Sequence, residues 1–308
     1  MRTRALFMSV ACIAALPAFF ASGVAAAGPD IVTRDVDRFY AIYDAAGGAP
    51  TADQLQKDYL GEASAGLLRF SEMRTITGER IAQALQKNPG MYRDARHCAD
   101  TLPAVRVRLA AALDELARIY PPARLPPVTI AIGRGKPVGT ANADGVMIGL
   151  EALCSVDFFD PDLEDRFVQV IAHEYIHVQQ PAAQVEDPEE KVLRAALIEG
   201  GAEFIGELIS GSISYGHLAT WARGREKETG TAFLADRNEK AQGSAWLYNG
   251  KGTPDRPGDL GYWVGYRIAK AYYRHATDKQ AAIREIIEVQ DADAFLEKSG
   301  WTPGIELD

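Results

Sequence analysis

Residues Phe167–Gln180 read FVQVIAHEYIHVQQ, two histidines four apart in an otherwise mostly apolar run, with a glutamate directly after the first. On a helix each residue turns about 100°, so His173 and His177 lie one turn apart and roughly 40° apart around the axis. Phe167, Val168, Ile171, Ala172, Tyr175, Ile176 and Val178 cover most of the circumference, while Arg166, Gln169, His173 and His177 share one narrow sector. A helix that is apolar nearly all round is buried. Its polar strip must then find partners inside the protein, because an unpaired buried polar group costs about 1–3 kcal/mol.

One zinc ion meets that need, taking two neutral imidazoles, a third protein ligand and an open position for water. Glu174 is adjacent to His173 but off the ligand line, where it can act as general base toward a zinc-activated water and then return the proton to a leaving amine. This is the mechanics of the H-E-x-x-H pattern. The bland counterpart is a pair of histidines hydrogen-bonded to core carbonyls. Placement on the polar sector of a buried helix favours the metal.

The third ligand is sought in the next helical stretch, RAALIEGGAEFIGELISG from Arg194 to Gly211, where Glu199 and Glu203 follow His177 by about twenty residues. Glu199, Glu203 and Glu207 form one stripe, which can also be a solvated acidic face. Glu199 precedes two glycines and is the better ligand; Glu203, one turn on, can orient a ligand histidine from behind. Gly200, Gly201 and Ala202 are expected to let this helix approach the histidine helix closely.

Outward from the motif, the chain organises itself around breaks. The segments DVDRFYAIYDAA, ADQLQKDYLGEASAGLLRFSEM, GERIAQALQ and LPAVRVRLAAALDELARIY, all within Asp35–Tyr120, space their apolar residues by threes and fours and predict helices. The run YPPARLPP, Tyr120–Pro127, cannot continue a helix. Beyond it VTIAIG and GVMIGLE predict two strands of a small sheet, separated by the loop RGKPVGTANAD. Helices are then expected over about 163–180, 189–209, 262–275 and 279–289, with the polar, glycine-rich Gly243–Gly261 as a loop rimming a cleft. The expected architecture is α+β and predominantly helical, with a helical N-terminal lobe over 28–122 and a catalytic region over 123–308.

The first residues hold Arg2 and Arg4, an apolar run from Ala5 to Phe20, and Ala25-Ala26-Ala27, the layout of an export signal cut after Ala27. Localisation is therefore expected to be periplasmic or secreted. The formal charge of -9 becomes more acidic by two without those arginines, a balance that disfavours nucleic acid and anionic membranes as partners. After such a cut Cys98 and Cys154 remain, able to form one disulfide or to stay a buried free pair. They lack the CxxC spacing of a metal framework.

The pair HEYIHVQQ and ALIEGGAEFIGE resembles the gluzincin pattern H-E-x-x-H followed by E-G-x-A-E-[FY]; the residues VQQPAAQ after His177 exclude the metzincin pattern, which needs a glycine and a third histidine there. More narrowly the chain resembles DUF2268, a family of predicted zinc-dependent proteases, with similarity continuing in VTIAIGRGKPVGTANADGVMIGLE and GYWVGYRIAKAYYRHATDKQAAIREII. The resemblance implies a zincin-like fold, one Zn2+ held by His173, His177 and Glu199, Glu174 as base, and a peptide or protein substrate.

Such chemistry also needs a donor for the tetrahedral oxyanion. Tyr262 and Tyr266 are the candidates, with His217 behind them, although aromatic residues at helical spacing are commonly core. The segment GTANADGVMIGLE, Gly139–Glu151, is either an ordinary hairpin or a sheet edge along which a peptide pairs. Two other readings compete with a peptidase: a zinc-binding scaffold with a closed site, and a catalytically inactive zincin-like binding protein. Glu174 separates them, since a structural site has no use for a base.

Overall fold

A computed structural model describes residues 30–181 and 189–307. The export signal expected over 1–27 and most of the acidic insert after Pro181 lie outside the described residues. The chain is α+β and predominantly helical, built on one four-stranded sheet in the order β1-β2-β4-β3.

The N-terminal part supplies β1 (Ile31–Val32), α1 (Arg34–Ala45), α2 (Ala65–Arg74), α3 (Gly78–Lys87) and α4 (Leu102–Ile119). The second predicted helix, Ala52–Met73, divides. Ala52–Gln54, a π turn over Leu55–Tyr59 and a 3-10 turn end at Ala63, and α2 restarts with the Ser64 side chain capping Leu67 N. A side-chain cap offers the first turn a partner for an otherwise orphan amide, and so defines a new start.

Strands β2 (Val128–Ala131) and β4 (Gly145–Gly149) are the two expected from sequence. They are buried along their whole length and pair in parallel, as suits continuous apolar runs covered on both faces. The stretch read as a loop between them contains β3 (Gly139–Asn142), antiparallel to β4 and at the edge of the sheet. Asn142 and Gly145 close this two-residue hairpin, and the Asn142 side chain accepts from Asp144 N at 2.9 Å. Gly-Thr-Ala-Asn has little strand propensity of its own; pairing with β4 makes it a strand. Glu151, in the segment expected to extend the strand, begins α5 (Leu150–Ser155) instead, where its buried carboxylate accepts from Gly133 N and Gly135 N at 3.0 and 2.8 Å.

The pairing register defines two faces. Thr129, Met147 and Thr140 lie in one row, and the backbone of α2 presses on it so closely that a Cβ on Gly66 would fall 1.9 Å from Thr129 Oγ1. Ile130, Ile148 and Gly139 form the next row, which by strand alternation points the other way, toward α6 (Leu163–Gln179). Helix α6 carries the histidine motif and packs on β3, β4, α4 and α7 (Val192–Ser210). Tyr175 ties α6 to the start of β2 by donating to Pro126 O at 2.6 Å.

Helices α8 (Gly216–Ala222) and α9 (Glu226–Asp236) follow, then α10 (Leu260–His275), α11 (Lys279–Ile287) and α12 (Ala292–Ser299). Among these the glycines act differently from expectation. A Cβ on Gly200 would meet Tyr266 N at 2.1 Å, and one on Gly265 would meet Ala196 O at 1.7 Å, so Gly200 admits α10 rather than the histidine helix. Gly206, two turns further on, is the one that faces the backbone of His173. The expected approach of α7 to α6 is real, but the glycine that serves it is a different one, because each helical face meets a different neighbour. Buried apolar residues form one cluster from Ile31 to Trp301, and Cys98 and Cys154 are joined by a disulfide.

Candidate metal centre

The polar strip of α6 is answered residue by residue. Arg166 donates to the carbonyls of Asp160, Leu153 and Cys154, and Gln169 donates to Ser212 Oγ at 2.6 Å. The two histidines meet α7. His177 Nε2 lies 3.0 Å from His173 Nε2 and 3.2 Å from Glu199 Oε2, and His173 Nε2 lies 3.3 Å from the same oxygen. All three side chains are about nine-tenths buried.

The remaining ring nitrogens are held from behind. His173 Nδ1 is 2.8 Å from Glu203 Oε1, a close but off-line contact, and the other Glu203 oxygen accepts from Ser214 N at 3.1 Å. His177 Nδ1 donates to Gln180 Oε1 at 2.7 Å, and Gln180 Nε2 passes the link to Ile198 O at 2.9 Å. Gln180 is there because Pro181 forces the preceding residue out of helical geometry: α6 ends at Gln179, and Gln180 has extended backbone with ψ 147°. Sequence reasoning missed Gln180. Its signal was the spacing of three residues beyond His177 directly before a proline.

These contacts assign the tautomers: with Nδ1 protonated toward Gln180, His177 Nε2 carries a lone pair into the triad. Two imidazole nitrogens and a carboxylate oxygen then face one point. The vertices of a tetrahedron whose centre is 2.0–2.1 Å from each are about 3.3 Å apart, which matches the observed 3.0–3.3 Å triangle. The donor set therefore fits one zinc ion. A second grouping of donors, His97 with Cys98 and Cys154, does not offer thiolates, because both sulfurs are in the disulfide.

The electrostatics agree. Burial opposes charge on His173, yet Glu199 and Glu203 outweigh it and raise its proton affinity well above the ordinary imidazole. Burial would likewise raise Glu199, but His177 and His173 hold its carboxyl far below the usual range. The pocket thus strongly attracts positive charge. Glu174 goes the other way: burial raises its carboxyl despite both histidines, which suits an acid–base group working nearer neutrality. Its carboxylate lies against the edge strand, where a Cβ on Gly139 would come 2.6 Å from Oε1. Only glycine leaves that oxygen its place.

Tyr262 is gathered with the site, its ring stacked 6.2 Å from that of His173 and tilted against that of Tyr215 at 4.6 Å. Burial, then Glu199, keep its hydroxyl protonated well above the usual phenol range. Tyr266 is not gathered: its hydroxyl donates to Glu207 at 2.7 Å and accepts from Lys270 at 2.7 Å. His217 sits further out, against Phe158 and Tyr215. Tyr215 and Tyr248, both in the field of Glu199 or Glu203, were not singled out from sequence. Tyr248 belongs to the expected cleft-rim loop, which Asp259 closes by accepting from Asn249 N at 2.6 Å and Gly250 N at 3.2 Å.

A histidine-bearing helix beneath a small open sheet, with a glutamate from the next helix completing a three-donor centre, defines a zincin-like architecture. The chain belongs to the DUF2268 family, described as a predicted Zn-dependent protease, and the match covers residues 134–296. That span takes in β3, β4, α6, α7 and α10 and begins after the helical N-terminal part. No curated protein and no solved structure matches the chain significantly. Among the described residues no helix is long and apolar enough to cross a membrane.

Proposed function

We propose that this chain is an exported zinc metallopeptidase that hydrolyses peptide bonds, with Glu174 as general base. The observation that carries the reading is the 3.0–3.3 Å triangle of His173, His177 and Glu199 donors, set beside a buried carboxylate that lies on the edge strand. One zinc ion held there supplies Lewis acidity, making a water proton labile near neutral pH and polarising a peptide carbonyl.

The chain's own residues do the rest. Glu174 accepts the proton of the attacking water and returns it to the leaving amine as the C–N bond breaks. Tyr262, kept protonated beside His173, donates to the oxyanion of the tetrahedral centre. Tyr266 serves the packing of α7 on α10. The edge strand β3, which pairs on one side with β4, offers its other side to an extended peptide, and places the peptide backbone next to Glu174. Residues 28–122 act as a lobe supporting a catalytic region over 123–308. A leader over 1–27 and the disulfide, which oxidising compartments preserve, support periplasmic or secreted action.

The test is metal content and peptide-library cleavage of the chain from Gly28, beside Glu174→Gln. About one zinc in both proteins, with cleavage only by the parent, is the expected result. A metal-free parent after chelator-free purification refutes the reading, and one zinc with no cleavage by either protein assigns a scaffold or an inactive binding protein.

A further inference from the structure

The edge strand carries a second recognition element on the face away from Glu174. Gly139 turns toward Glu174, and Thr140, the next residue, turns to the opposite face. There its hydroxyl accepts a hydrogen bond at 2.6 Å from Nη2 of Arg74. Arg74 is the last residue of α2, which stops at Thr75 in the left-handed region with φ 52°. A β-branched residue rarely adopts that conformation; here Ile76 N bonds Ser71 O at 3.0 Å and Arg80 bonds Thr75 O at 3.2 Å across the turn. Arg134, from the loop that leads into β3, donates to Arg74 O at 3.0 Å and brings a second guanidinium to the same rim.

On the same helix Arg69 is paired with Glu72 and Asp144. The chain carries a formal charge of -9, yet among the described residues neither Arg74 nor Arg134 has a carboxylate within ion-pair distance. Arg74 is exposed, and with one hydrogen bond to Thr140 most of its five donors are uncommitted. An extended peptide paired with β3 presents its side chains alternately to the two faces of the sheet. Groups on one face meet Glu174 and the metal centre, and their neighbours meet Arg74.

Resting on the peptidase reading above, we propose that Arg74, supported by Arg134, is a specificity residue that binds a carboxylate of the substrate close to the bond to be cut. The carboxylate is either an aspartate or glutamate side chain or the peptide's own C-terminus. The overall acidity of the chain suggests basic or neutral peptides; the local charge at the edge strand favours acidic ones.

The experiment uses zinc-loaded protein from Gly28 and matched peptides differing only in Asp against Asn, Glu against Gln, or C-terminal acid against amide. Cleavage is read as kcat/KM for the parent, and binding is read on Glu174→Gln. We expect the acidic member to be favoured about tenfold in both readouts, as for a charge-assisted hydrogen bond. Arg74→Gln brings the ratio near one and Arg74→Glu reverses it in favour of the neutral member of each pair; ratios within a pair are unaffected by loss of folded protein. The pair that shows the effect identifies the carboxylate. Equal ratios in parent and Arg74→Gln, or no acidic preference in binding, overturn the proposal. Acidic preference in binding without any cleavage upholds the Arg74 contact and removes the peptidase reading instead.

Discussion

Gln180 Oε1 accepts the Nδ1 proton of His177 at 2.7 Å, while its amide nitrogen holds Ile198 O, one residue before Glu199. A single side chain thus orients one metal-facing histidine and anchors the turn of α7 that carries the glutamate. Gln180→Ala is expected to weaken zinc binding about 10- to 100-fold, measured by competition with a chromogenic chelator.

Glu199 and Glu203 are one turn apart but differ in what they face, and the same chelator competition ranks them. Glu199→Ala removes a donor and should lose zinc more completely than Glu203→Gln, which keeps an oxygen near His173 and is expected to cost about 10- to 100-fold. Equal losses would show that Glu203 is itself a ligand.

Two positions in the seam between α7 and α10, Gly200 and Gly265, have no room for a side chain. Gly265→Ala drives a methyl onto the Ala196 carbonyl, 1.7 Å away, and is expected to cost more than about 3 kcal/mol or to prevent folding. Gly201→Ala meets only the Ile286 side chain at 3.1 Å and should cost about 1 kcal/mol or less. Chemical denaturation of the two variants checks the contrast.

Reduction of Cys98–Cys154, which spans 56 residues, is expected to lower stability by about 4 kcal/mol on a chain-entropy estimate. Thermal melting with and without a dithiol, beside a Cys98→Ala/Cys154→Ala variant, measures it.

Burial, and then the nearby Glu199, push the Asp259 carboxyl up to about 6 from 3.8 even though backbone amides bond to it. Because the folded value lies above the unfolded one, the fold binds this proton more tightly. The contribution is therefore fully present below about 3.8 and is lost as pH rises through about 6, amounting to roughly 3 kcal/mol. Asp259→Asn, which retains an acceptor for Asn249 N, should flatten the decline of stability between pH 4 and 7 relative to the parent. Parallel pH profiles for the two proteins would exclude this role.

The legible parts of the chain were those in which one local rule decides. The wheel of α6 located a buried polar strip, and the structure surrounds Arg166, Gln169, His173 and His177 with partners. Less legible were features supplied by a distant segment. Gly139–Asn142 becomes a strand through pairing with β4, and Gly200 is small for the sake of Tyr266 and Gly265, more than sixty residues away. Tyr262 and Tyr266 look equivalent in sequence; Glu207 and Lys270 distinguish them, and that requires knowing which faces of α7 and α10 meet.

Strand β1 is two residues long, yet Ile31 and Val32 pair with Val128 and Thr129, and Asp30 O accepts from Val128 N at 2.9 Å. This limits where the protein can be shortened. A chain starting after Val32 bares the edge of β2, a row of unpaired amides and carbonyls that invites association between molecules. Cutting at the bounds of the family match, 134–296, goes further: it discards β1, β2 and α4, leaving β4 without its parallel neighbour and α6 without one of its packing surfaces. The segment that carries the three metal-facing donors is therefore not a unit that can be excised, and a shortened protein should retain everything from Asp30 onward.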